Sequence, residues 1–166
     1  MTSFNHVRLP RYALLGDVNE DPKWAFTLGT ARIAIGSLSL SLLSIGFMSI
    51  SAYIAGKYSL RRTVINAAGH TTPIWSFRTQ QLPILHSLAQ LFVSRVYAHE
   101  VIGIFQKKLA QRPVDDRGLI GLSVTVKAAL LERMKPSLTA MGERCGSQGL
   151  FEENQLIAIQ VCDVLG

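Results

Sequence analysis

The chain has 166 residues, 48% of them apolar, which is enough for one domain with an apolar core. Its formal net charge is +6, but Arg8, Arg11, Arg61, Arg62, Lys107, Lys108 and Arg112 are scattered. There is no arginine-rich arm, no aromatic-studded strand pattern and no Cys/His finger spacing, so nucleic acid is not an expected partner.

Two cysteines, Cys145 and Cys162, without a CxxC pair suit a reducing compartment. The opening MTSFNHVRLPRY has no apolar signal-peptide core, and the closing VCDVLG is neither a peroxisomal tripeptide nor a lipidation box. An intracellular, cytoplasmic protein is expected.

The first long element is IAIGSLSLSLLSIGFMSISAYIAG, Ile33 to Gly56, which carries no charge. Its length suits a membrane span, and its SLSLSLL alternation suits a strand. Its serines and glycines weaken the span. Ser37, Ser41, Ser44 and Ser51 fall near one helical stripe, and Ile35, Leu38, Leu42 and Ile45 form another. The uninterrupted apolar length argues for helix, and small residues along a stripe let a neighbouring helix come close.

Next comes a basic turn, YSLRRTVINAAGHTTP, with Gly69 and Pro73 marking a loop. Spacing predicts a second helix from about Thr79 to Gln111. Its expected apolar face is Leu85, Leu88, Phe92, Val96 and Phe105, with His86, Gln90, Arg95, Lys107 and Lys108 polar. RPVDDRG connects it to a third helix from Leu119 to about Cys145, with Leu122, Val126, Leu130, Met134 and Met141 in register. Pro136 is expected to kink or split that helix. CGSQG reads as a tight turn, and a short helix from Glu152 to Leu165 completes an all-α, up-and-down four-helix bundle.

His86, Gln90 and Tyr97, at i, i+4 and i+11, share one face of the second helix. Pointing inward, they form a catalytic polar patch able to orient a carbonyl-bearing ligand or exchange a proton. Pointing elsewhere, they are ordinary polar residues at a helix contact. Arg95, His99 and Glu100 read as a solvated or interfacial cluster. His6, His70, His86 and His99 lack metal-ligand spacing, so no metal is expected. Cys145 reads as a small core residue.

Six blocks resemble, in order, the acyl-CoA oxidase and dehydrogenase family. They are VRLPRYALLGDV, FTLGTARIAIGSLSLS, YSLRR, PIWSFRTQQLPIL, VKAALLERM and ERCGSQGL. The resemblance implies a linker-like segment over 1–27 and a C-terminal helical bundle over 28–166. It makes the uncharged stretch a central bundle helix, sheltered by neighbours and a second subunit, with no membrane span. It also implies cofactor-contacting roles for Arg62, Gln81, Gly146 and Gly149.

The departures are specific. Val64, Ile65 and Asn66 stand where the family has QFG, Arg78 replaces a glutamine, and Ser147 replaces a glycine. No residue up to Gly166 aligns with the family's catalytic glutamate. Glu152 and Glu153 read instead as surface carboxylates in a first helical turn.

Three functions follow as expectations. The first is a repurposed bundle without cofactor, a cyclase or isomerase acting on a small-molecule polyene or acyl substrate through His86, Gln90 and Tyr97. The second is the helical half of a split flavoenzyme that binds FAD when a partner chain completes the site. The third is a non-catalytic binding or assembly subunit. All three imply a homo-oligomer or a hetero-complex, because a former domain interface leaves apolar surface exposed.

Overall fold

The computed structural model describes residues 3–13, 21–65, 67–111 and 116–164. The LLGDV end of the first block, Arg112 to Asp115 of the charged connection, Asn66 and the Cys162 side chain lie outside the described residues.

Helix α1 spans Pro22–Arg61, 40 residues, and so begins inside the segment expected as linker. Its start is local chemistry. Asp21 caps it, accepting from the Lys23 amide at 3.2 Å, and Pro22 fills a first-turn position where its missing N–H costs nothing. It ends where Arg62 turns extended, its N–H held by the Tyr58 carbonyl at 2.8 Å.

A small hairpin follows, β1 (Thr63–Ile65) against β2 (Thr71–Pro73), antiparallel with Val64 opposite Thr72. Gly69 and Pro73 predict only a loop here. Strands of three residues carry too little alternation to register. Then come α2 (Arg78–Ala110), α3 (Asp116–Arg144) and, after two short 3-10 turns, α4 (Leu156–Val164).

The fold is all-α, and α3 is the main partner of α1. One core cluster joins Ala34 and Leu38 of α1 to Val101 and Phe105 of α2 and to Leu119, Val126 and Leu130 of α3. Another joins Ala52 and Ala55 to Ile84, Met141 and Cys145. Early α1 thus meets late α2 and early α3, so the three long helices alternate in direction. Helix α4 is a nine-residue element packed against α3 through Leu156 and Ile159, and Gln160 Nε2 donates to the Leu138 carbonyl at 3.0 Å. Among the described residues the bundle is therefore three long helices with a short fourth laid on α3.

The serine stripe of α1 faces inward. Ser41, Ser44, Ser51 and Ser59 are buried, and each hydroxyl donates back to a carbonyl of its own helix at 2.6–2.7 Å. That satisfies the Ser41, Ser44 and Ser51 hydroxyls within α1, while the Ser59 hydroxyl also accepts from Gln80 of α2, so along most of the stripe α3 meets small, quiet side chains. The opposite side is left uncovered by the described residues. Leu40, Leu43, Ile50 and Tyr53 are exposed, and by length and composition α1 could cross a membrane.

Two expectations need correction. On α2 the buried face is Gln80, Ile84, Ser87, Leu91, Ser94, Ala98, Val101 and Phe105. Leu85, Phe92 and Val96, expected in the core, are half exposed or more. The helix carries two apolar stripes, and period alone does not say which one faces inward. On α3, Pro136 neither ends nor divides the helix. It sits at an exposed position beside buried Ser137 and Leu138, so its ring needs no room in the core.

Candidate functional site

At one end of the bundle the C-terminal turns of α1 and α3 meet the hairpin and the N-terminus of α2. The pivot is Gln80, a buried residue that the sequence reading passed over. Its Nε2 donates to the Ser59 Oγ at 2.9 Å and to the Arg144 carbonyl at 2.7 Å, so one amide ties three helices together. The available signal was register, since residue 80 continues the Ile84, Ser87, Leu91 stripe by steps of four, three and four.

Arg144 closes the same joint from α3. Pro83 has no N–H, so the Thr79 carbonyl lacks its helical donor, and Arg144 Nη1 supplies one at 3.0 Å. Nη2 lies 3.8 Å from the Glu143 carboxylate, while Nε is buried without a partner.

The residues assigned to a cofactor sort themselves around this joint. Arg62 is exposed, and its carbonyl accepts from the Ile74 amide at 2.8 Å. Gln81 is half-buried and donates to the Trp75 carbonyl at 2.8 Å. The Ile74–Trp75 turn therefore brings Arg62 and Gln81 to one edge. Gly146 opens the 3-10 turn Gly146–Leu150 in the left-handed region, φ +58, with nothing near its missing side chain. Gly149 differs. It is buried, and a Cβ there would lie 2.5 Å from the Gly142 carbonyl oxygen. Its glycine is explained by packing against α3.

Lys57, Arg61, Arg62 and Arg78 are all exposed at this end, with Lys57 Nζ 5.7 Å from the Tyr53 ring centre. As a test of FAD, these groups fit in part. Permanent positive charge and one unobstructed glycine backbone suit a phosphate. Gln81 has already committed one amide hydrogen, and Gly149 is buried against Gly142. The described residues offer an open surface here and do not enclose a flavin.

His86, Gln90 and Tyr97 do share one flank of α2, away from this end. His86 is exposed, Tyr97 is 38% exposed beside Phe92, Val93 and Val96, and Gln90 is half-buried, accepting from the Ser137 hydroxyl at 2.6 Å. The flank borders the α3 contact, and its Tyr97 lines an open apolar depression with Phe92, Val93 and Val96. Glu152 and Glu153 are exposed in a separate 3-10 turn, Glu152–Asn154, which left-handed Gln155 divides from α4. The expectation that they lie in the first turn of the last helix is corrected: α4 begins only at Leu156. Among the described residues no group of His, Cys, Asp or Glu comes together as a metal site.

The chain is similar to the peroxisomal acyl-coenzyme A oxidase 2 of Arabidopsis thaliana, 26% identical over 169 aligned positions that cover 92% of this chain. It spans 24% of that relative's length. No protein-family profile matches the chain, and no solved structure matches it. The likeness runs over most of the chain and marks it as an acyl-CoA oxidase-related region.

Proposed function

We propose that the chain is a helical region of an acyl-CoA oxidase-type protein that forms one wall of a phosphate-bearing cofactor site completed by other polypeptide. The observation that carries this reading is the gathering of Arg62, Gln81 and Gly146 at one end of the bundle. Arg62 supplies an exposed guanidinium with donors suited to a phosphate, and Gly146 supplies backbone that an anion can approach. The cofactor implied by the family resemblance is FAD, which would bring the redox chemistry. This chain's part is to bind and orient it. The outward apolar stripe of α2 supports a homo-oligomer or hetero-complex, since a surface of that kind is stable when covered.

A cofactor-independent cyclase or isomerase has less support. Such chemistry works by confining a flexible substrate, and His86 and the Tyr97 patch stand on an open flank.

The test is purification of the tagged chain from its native host, with the visible absorption spectrum and the masses of everything that co-purifies. A flavin band with a larger chain, lost from an Arg62→Ala variant, supports the reading. A colourless, folded assembly of this chain alone sinks it and returns attention to small-molecule chemistry on α2.

A further inference from the structure

Between the middle of α1 and the second half of α2 lies an open groove of about 540 Å3, remote in sequence from the Arg62–Gly146 end. Its floor is Leu42, Ile45 and Ile50 from α1 with Ala98 and Ile102 from α2. Ala98 is buried, while Leu42, Ile45 and Ile102 are half-buried, so apolar surface remains uncovered along the groove.

Gly46 is part of the reason the groove exists. A Cβ at that position would meet nothing within 4 Å, so the missing side chain leaves a gap in the α1 wall. The rim is polar and carries one guanidinium: Arg95 and His99 line it from α2, one turn apart, and Ser49 lines it from α1. Arg95 and His99 are exposed and make no ion pair or hydrogen bond among the described residues.

We propose that this groove binds a free, single-tailed carboxylate of medium chain length. The tail lies on Leu42, Ile45, Ile50 and Ile102, and the head group meets Arg95 and His99. Two features select that ligand. An apolar floor with the Arg95 guanidinium above it, beside the polar His99 and Ser49, favours an anion with an alkyl tail over a cation or a uniformly polar molecule. The stretch from residue 42 to residue 50 measures about 12 Å along α1, which accepts a chain of roughly eight to ten carbons.

Calorimetric titration with decanoate tests the proposal, with nonyltrimethylammonium as the probe of equal tail and opposite charge. Decanoate is expected to saturate one site, and the cation is expected not to. Arg95→Gln should weaken decanoate about tenfold, the worth of one charge-assisted contact. Gly46→Leu should abolish binding by filling the gap. Ser49→Phe blocks the groove from its exposed rim if the Gly46 variant does not fold. Equal binding of both amphiphiles, unchanged decanoate affinity in the variants, or no saturable binding overturns the proposal. So does a change in assembly mass on blocking the groove, because the groove would then be a surface between copies.

Discussion

The Arg144 guanidinium donates to the Thr79 carbonyl at 3.0 Å, and this is the carbonyl that Pro83, four residues on, cannot serve. A proline in one helix and an arginine in another are thus energetically coupled. Arg144→Met is expected to lower stability by about 1 kcal/mol, read by urea unfolding. Introduced into Pro83→Ala, where the helix regains its own donor, the same change should cost clearly less. Strict additivity of the two would refute the coupling.

Glycines 146 and 149 separate by mechanism. Gly149→Ala puts a methyl against the Gly142 backbone and should cost about 1–3 kcal/mol through forced displacement. Gly146→Ala meets no atom and should cost only about 1 kcal/mol, for holding a side chain at φ +58. Thermal melts of the two variants compare them, and equal losses would contradict the packing role of Gly149.

The flank of α2 makes a similar contrast. Gln90→Ala strands the Ser137 hydroxyl, which is 5% exposed, and is expected to destabilise by about 1 kcal/mol. His86→Ala and Tyr97→Phe, at more open positions, should stay within about 0.5 kcal/mol. A large loss from His86→Ala would mean that its surroundings are closed.

Burial raises the Cys145 thiol above its ordinary range. In a Cys162→Ser background, a disulfide thiol reagent should react slowly at neutral pH and quickly once denaturant is added. The sign for stability follows from proton binding. The unfolded thiol ionises first, so the folded state holds the extra proton, and stability falls as pH rises through the alkaline thiol range. A melting temperature that rose there would contradict it.

Much of this architecture was legible in the residues. Ser41, Ser44 and Ser51 announced the inward stripe of α1, and Val126, Leu130, Met134 and Met141 announced that of α3. Helix α2 was legible as a helix but not in its orientation, because Leu85–Phe92–Val96 and Ile84–Leu91–Ala98 both satisfy the same period. The Gln80 joint was hidden for another reason. A polar residue in an apolar register is ambiguous until its partners, Ser59 and the Arg144 carbonyl, are brought from 21 and 64 residues away. The cofactor positions came from the family resemblance, and only geometry could tell that Gly146 is open while Gly149 is packed against Gly142.

The self-closing serines of α1 have one more implication. Ser59 apart, whose oxygen also accepts from Gln80, the hydroxyls of the stripe are answered within their own backbone and make no polar demand on what they touch. Serine and alanine are then nearly interchangeable along that stripe, and a drifting α3 sequence can keep its seat provided its side chains remain the right size. The α1–α3 contact is tuned by shape alone, which leaves it tolerant of mutation in one sense and intolerant in another: a change of chemistry is forgiven there, and a change of bulk is not.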